Sequence, residues 1–375
     1  MRIPIDRVHG GNRAPGVVDF SISVNPFGPP AEALQTICES AHEVAFYPSP
    51  YSEALVGAIA RRNGLDPSEI LVGNGSTQLI YLLARVLAPE VAFVAIPTFS
   101  EIANALWCAR CAVEGLILAR ERNFELAETD VEFALKRGAQ AIFIGRPNSP
   151  TGSLLKLAAA RRIAALCERY RAWCVFDEAF IDFVHEKQSC VTLCREFPRV
   201  IVLRSLTKIF TLPGLRVGYC VGARDVIGRM REALEPWSVN VLAELVALKC
   251  LEIEGAFVAQ TRNLIHRERQ FLQRSLGQIG GIRVYSSCAN FLMFEVDCED
   301  RRGNFGRYML EHGVAVRDLR TLPGCGPGMY RIGVRLRQDN ERFLAVVQSY
   351  FHSHPVSLSV SQTGPVSRSE LRGDL

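Results

Sequence analysis

Val200-Ile-Val-Leu-Arg-Ser-Leu-Thr-Lys-Ile-Phe-Thr-Leu-Pro-Gly-Leu-Arg-Val-Gly-Tyr219 decides how this chain is read. The strand-forming run Val200 to Leu203 enters a hydroxylic turn that carries one lysine, Lys208. A second apolar run follows Arg216. A lysine among small, hydroxylic and apolar residues loses hydration, which disfavours its ammonium form. A neutral amine is what Schiff-base chemistry requires. Ser205, Thr207 and Arg216 offer hydroxyls and a planar guanidinium suited to a phosphate. An isolated S-x-x-K is usually ordinary turn chemistry, so its weight depends on the other strand ends.

Composition sets the frame. The chain has 375 residues, 48% hydrophobic and 22% charged, which is globular and sufficient for two domains. A formal charge of +4, spread along the chain, argues against nucleic acid or a membrane surface as partner. It suits an anionic small substrate. Apolar runs such as Val91 to Ile96 are strand-sized and too short to span a bilayer. The opening residues show no secretory pattern. Twelve cysteines occur at irregular spacing, with Cys108-Ala-Arg-Cys111 the one CxxC. They read as reduced, mostly buried thiols of a cytoplasmic protein, with no metal site expected.

Outward from Lys208, strands and helices alternate. A short strand from Ile70 ahead of the Gly73 turn, Val91 to Ile96, Val113 to Leu118, Ala141 to Ile144, Trp173 to Phe176, Val200 to Leu203 and Arg216 to Val221 read as strands. Between them lie helical patterns at 78–87, 100–111, 128–136 and 156–170, preceded by 31–40 and 52–63, with Ser52 as cap. Continuous apolar strands between helices predict an α/β fold with a mainly parallel sheet covered on both faces. Residues 1–30 read as an N-terminal arm, with Val17 to Val24 a docked strand. Residues 31–259 form a large domain, 260–351 a smaller α+β C-terminal domain, and 352–375 a disordered tail. A long helical region, 223–276, bridges the two domains.

In parallel sheets, ligands sit beyond the carboxyl ends of the strands. Gly73-Asn-Gly-Ser-Thr77 stands at one such end, with backbone N–H groups and hydroxyls for an anion. Pro97-Thr-Phe99 closes the next strand with an aromatic ring. Gly145-Arg-Pro-Asn-Ser-Pro-Thr-Gly152 and Phe176-Asp177-Glu178-Ala179-Phe180 close two more. With Asn25-Pro-Phe-Gly28, Tyr47-Pro48 and Arg331-Ile-Gly-Val334, this set resembles the fold-type I, pyridoxal 5′-phosphate-dependent aminotransferase superfamily over residues 9–350. The resemblance implies that family's fold, with a seven-stranded sheet, and the cofactor pyridoxal 5′-phosphate. It implies Lys208 as the Schiff-base lysine, Asp177 against the pyridinium nitrogen, Asn148 on the ring's 3′ oxygen and Phe99 stacked on the ring. Gly75, Ser76, Ser205 and Arg216 hold the cofactor phosphate. Tyr47 reaches the phosphate in the neighbouring subunit, which implies a homodimer. Phe180 stands where many relatives have a tyrosine, so that tyrosine's contact with the ring oxygen is absent or replaced.

Two branches of the superfamily compete. Arg317 and Arg331 resemble the substrate-binding arginines of histidinol-phosphate aminotransferases, one for a phosphate and one for an α-carboxylate. The opening His9-Gly-Gly-Asn12, the Asp19-Phe-Ser to Pro30 segment containing Asn25, and Asp177 to Phe183 resemble the cobalamin-pathway threonine-phosphate decarboxylases. That resemblance implies His9, Asn12 and Asn25 as further substrate contacts. It implies decarboxylation of L-threonine O-3-phosphate to (R)-1-amino-2-propanol O-2-phosphate. The alternatives are an L-serine O-phosphate decarboxylase, which differs by one methyl, and a histidinol-phosphate-type aminotransferase. A sensor built on this fold would place a DNA-binding domain ahead of it, for which the eight residues before His9 leave no room.

Overall fold

The computed structural model describes residues 7–184, 187–296 and 304–354. The strands, in chain order, are β1 (Val18–Asp19), β2 (Ile70–Gly73), β3 (Val91–Ile96), β4 (Ala112–Ile117) and β5 (Ala141–Gly145). Then come β6 (Trp173–Asp177), β7 (Val200–Ser205), β8 (Gly218–Val221), β9 (Ile282–Val284) and β10 (Phe291–Val296). Last are β11 (Val314–Ala315), β12 (Arg317–Asp318) and β13 (Met329–Gly333). Strands β2 to β8 form a seven-stranded sheet in the order β2-β8-β7-β6-β5-β3-β4. All its pairings are parallel except the two made by β8.

Alternate residues of each strand feed opposite cores, which is why the strands read as unbroken apolar runs. Phe93, Ile142, Ile144, Cys174, Phe176 and Val202 face one core with Leu55, Ile59 and Ile163. Ala92, Val94, Phe143, Val175, Ile201 and Leu203 face the other with Leu79, Leu83 and Ile102. Each fully buried valine, leucine, isoleucine or phenylalanine among them contributes roughly 1.5–3 kcal/mol.

The C-terminal part forms a second, antiparallel sheet in the order β12-β13-β10-β9. The arm strand β1 pairs in parallel with β11, so the N-terminal arm is built into this second unit. Val17 to Val24 is therefore mostly irregular, with two residues in strand pairing. The bridging region is two helices, Arg224–Ala233 and Val241–Gly277, separated around Pro236 and a left-handed Trp237 (φ 59°). The second helix has 37 residues and its N-cap, Asn240, accepts a hydrogen bond from the Ala243 N–H. The boundary expected at residue 260 falls inside it.

Three local expectations are corrected. Ser52 precedes its helix but does not cap it: with φ 57° its hydroxyl points away and bonds Glu244 Oε1 at 2.5 Å. The helix expected from Gln78 starts at Gly75, and the one expected through Cys111 stops at Cys108. The last helix runs from Arg337 to Ser353, and the tail from 355 lies outside the described residues.

Candidate active site

The carboxyl ends of β3, β5, β6 and β7 lie side by side, and a cavity of about 710 Å³ opens above them. Phe99 arrives from the end of β3, Asp177 closes β6, and Ser205 and Lys208 follow β7. Gly75, Ser76 and Thr77 enter from the start of the helix Gly75–Leu87. Arg317 and Arg331 come down from the small sheet, and His9 and Gly10 from the arm.

One corner is built around glycine. Gly75 has φ +74°, and a Cβ there would lie 2.7 Å from an Arg216 guanidinium nitrogen. A Cβ on Gly218 would lie 2.6 Å from the Ser76 amide nitrogen. Without side chains at either position, β8 passes under the helix start and Arg216 lies against it. Arg216 itself is left-handed (φ 59°), strain of a kind that concentrates at functional sites. Ser205 Oγ and Thr207 Oγ1 are 2.8 Å apart beside them. Helix-start N–H groups, two hydroxyls and a guanidinium form an anion cradle.

A second cationic corner follows from strand register. Arg317 on β12 is the cross-strand partner of Arg331 on β13. Arg331 donates to Ser149 Oγ at 2.9 Å and to the Ser21 carbonyl at 2.8 Å, while its Nε is buried with no hydrogen-bond partner among the described residues. Arg317 donates to the Val8 carbonyl of the arm.

Burial and these charges perturb the ionisable groups. Burial, reinforced by Arg331 and Arg216, lowers the Lys208 amine to about 8 against the pull of Asp177. Burial raises the Asp177 carboxyl to about 6, against the Ala179 N–H and Lys208. Burial and repulsion from Arg317 lower Arg331 to about 10. The site thus holds an amine that loses its proton at about pH 8, well below the ordinary lysine, and a carboxylate whose burial favours a cation beside it.

A family model for aminotransferase class I and II matches residues 15–347. The chain belongs to that family. The threonine-phosphate decarboxylase of Salmonella typhimurium is 32% identical over 334 residues, spanning 89% of this chain and 91% of the relative. A histidinol-phosphate aminotransferase of a Thermoanaerobacter species is 31% identical over 326 residues, spanning 84% and 88%. In structure, the chain is similar to the histidinol-phosphate aminotransferase of Sinorhizobium meliloti in complex with pyridoxal 5′-phosphate. The TM-score is 0.81 at 19% identity, over 89% of this chain and 91% of that one.

As a class I and II aminotransferase family member, the chain takes pyridoxal 5′-phosphate as cofactor. The residues fit it: an anion cradle, an amine of lowered basicity and a buried carboxylate lie around one cavity. Phe180, in place of a tyrosine, is buried and packs edge-on against Phe291 at 4.9 Å.

Four anticipated contacts lie off the cavity. Asn25 is buried beneath it, donating to the Ile209 carbonyl (2.9 Å) and Thr261 Oγ1 (2.7 Å) and accepting from the Phe27 N–H. With both ends engaged, it fastens the arm to Lys208's segment and to the long helix. Asn148 Nδ2 donates to the Pro97 carbonyl (2.7 Å) and Thr151 Oγ1 (3.0 Å), which orients the amide, while its Oδ1 is buried without a partner among the described residues, between the cavity-lining Pro147 and Ser149. Asn12 accepts from the Ala14 N–H and lines a shallower depression next to the cavity. Tyr47 is 85% exposed, its ring 5.2 Å from Trp237.

Other lining residues escaped the reading of the sequence: Thr98, Ser149, Leu319, Leu322, Tyr81 and Glu101. Glu101 and Asn104 left a detectable signal, since both fall at i and i+3 on a helix face that is otherwise apolar and buried.

Proposed function

We propose that this protein decarboxylates L-threonine O-3-phosphate to (R)-1-amino-2-propanol O-2-phosphate, a step of cobalamin biosynthesis. The observation that carries this reading is the arm's His9 on the cavity beside the paired Arg317 and Arg331, in addition to Arg216 at the cofactor cradle. Two guanidiniums beyond the cofactor's own suit a small substrate with two anionic groups, a carboxylate and a phosphate. An aminotransferase would set the carboxylates of 2-oxoglutarate against the same pair, so what favours the decarboxylase is the arm, whose opening His9-Gly-Gly-Asn12 brings His9 onto the cavity.

Gly75, Ser76, Ser205 and Arg216 would hold the cofactor phosphate, with Phe99 against its ring and Asp177 at the ring nitrogen. When bound, pyridoxal phosphate supplies an electron sink for the bond at the substrate Cα that stands perpendicular to its ring. Asp177 keeps the ring nitrogen protonated, with the ring's cation offsetting the cost of burying the carboxylate. Arg331, with its unpartnered Nε, takes the α-carboxylate. Arg317 and His9 take the phosphate. Together they would fix the orientation of the substrate's carboxylate, and so which bond at Cα the cofactor's chemistry would act on. Lys208 would hold the cofactor and, once displaced by the substrate's amino group and protonated by it, would return that proton to Cα as an ammonium. The two subunits of a homodimer share their sites through Tyr47.

The deciding assay incubates holoenzyme with L-threonine O-3-phosphate and follows CO2 and the amino alcohol phosphate. L-serine O-phosphate run in parallel measures the contribution of the methyl group, about 10- to 200-fold for one carbon in an apolar pocket. Keto product from histidinol phosphate and 2-oxoglutarate, without CO2 from either phosphoamino acid, overturns the decarboxylase reading.

A further inference from the structure

Glu101 is a buried carboxylate on the helix Ser100–Cys108, directly after Phe99. Its Oε2 accepts from the Tyr81 hydroxyl at 2.7 Å, and its Oε1 accepts from Asn104 Nδ2 at 3.0 Å. Its ion-pair partner among the described residues is His9, with Nε2 at 3.2 Å from Oε1. Buried carboxylates are costly and are usually paired with an arginine or a lysine. Here the charge is set against a half-exposed histidine on an irregular arm.

The geometry across the cavity gives that pairing a purpose. Residues 7–14 have no helix or strand of their own. On the small-domain side, Arg317 holds the Val8 carbonyl, and Ser21 Oγ accepts from the Gly11 N–H at 2.8 Å. Gly10 lies so close to Ser21 that a Cβ would come within 2.4 Å of its carbonyl oxygen. On the large-domain side, Glu101 holds the His9 ring, whose centroid is 6.2 Å from that of Phe99. The arm is thus strung across the cavity from the small sheet to the helix behind Phe99. A carboxylate opposite Nε2 favours the proton on that nitrogen and leaves Nδ1 as the ring's other polar atom.

We propose that Glu101, braced by Tyr81 and Asn104, is a positioning residue: it anchors His9, and the arm with it, so that the imidazole meets the substrate phosphate. This rests on the reading that the cavity takes a phosphorylated substrate, but not on decarboxylation being the reaction. Glu101→Gln keeps the size and the acceptor for Tyr81 and removes the charge that faces His9.

The test compares holoenzyme of the wild type, Glu101→Gln, His9→Ala and the double variant on whichever phosphorylated substrate is turned over. Each single change raises KM about tenfold with kcat within about twofold, the pattern of lost substrate binding. The double variant is no worse than His9→Ala, because the two residues act as one unit. Inhibition by unphosphorylated L-threonine is unchanged, and so is the visible spectrum of the bound cofactor. If Glu101→Gln fails to fold, Tyr81→Phe, which frees one carboxylate oxygen, gives a smaller rise in KM of the same kind. An unchanged KM in the variant that folds, effects that multiply in the double, or an equal loss for L-threonine overturns the proposal. Should histidinol phosphate prove to be the substrate, the same comparison made with it still tests Glu101 after the decarboxylase reading has failed. Should no phosphorylated substrate be turned over, calorimetric binding of inorganic phosphate to the same four holoenzymes replaces KM, with the same tenfold loss expected and unchanged affinity overturning.

Discussion

Lys208 is the residue on which the chemistry turns. Lys208→Ala removes the visible absorbance of the bound cofactor and abolishes activity; a variant that kept both would overturn its role. Its lowered titration, to about 8, has two consequences. The rate at which apoprotein takes up pyridoxal 5′-phosphate rises with pH through about 8, not above 10, because the neutral amine is the nucleophile. Stability of the apoprotein follows from linkage. Between the folded value of about 8 and the unfolded 10.5, the unfolded chain binds more protons at this site, so raising pH across that window adds stability. Asp177 works the other way. Between 3.8 and about 6 the folded form binds the extra proton, so raising pH removes stability there. Urea midpoints of wild type and Lys208→Met across pH 7.5–10 check the first window, where the variant lacks the rise. The motif residues near Lys208 were legible because their chemistry is local. Asn25 was less legible because an amide at a turn serves the backbone as readily as a ligand, and its three bonds beneath the cavity appear only in the fold.

At the scale of elements, the alternation of strands and helices was legible because each strand is buried on both faces. The reversed direction of β8 was not, since a four-residue apolar run carries no sign of direction. Nor was the buried charge beneath the strand ends. Arg146, after β5, pairs with Glu178 at 2.7 Å, and both are 0% exposed. Glu178 also accepts from Ser189 and the Cys190 N–H, and Arg204 bonds Asp182 at 2.7 Å. Removing one member of such a pair strands the other: Arg146→Met costs about 3–5 kcal/mol in urea unfolding. Replacing both, Arg146→Met with Glu178→Gln, recovers part of that loss. A double variant as unstable as the sum of the singles would mean that the two charges act independently.

The whole molecule presents an apolar surface that one chain leaves uncovered: Val44, Phe46, Tyr47 and Trp237 are each about half exposed or more. A patch of this kind marks an interface, and the expected outcome in sedimentation is a dimer. If Tyr47 serves the partner's cradle, mixing Tyr47→Ala with Lys208→Ala restores one complete site in each mixed dimer. Random reassociation then returns about a quarter of wild-type activity; no recovery would place Tyr47's role within its own subunit. The sequence could not reveal how the second unit is fastened, because β1 and β11 are two residues each and their pairing spans most of the chain. That fastening has a mechanical meaning. The helix Val241–Gly277 is an unbroken beam roughly 55 Å long at 1.5 Å per residue, anchored in the large domain at one end and packed on the small sheet at the other. With β1 tying the N-terminus to the far side of the same unit, the small domain is held by a spar and a stay. A free swing about residue 260 is closed to it. Movements of the small domain must therefore bend the spar or draw on slack in the stay, and a rigid-body rotation about a point hinge is not among them.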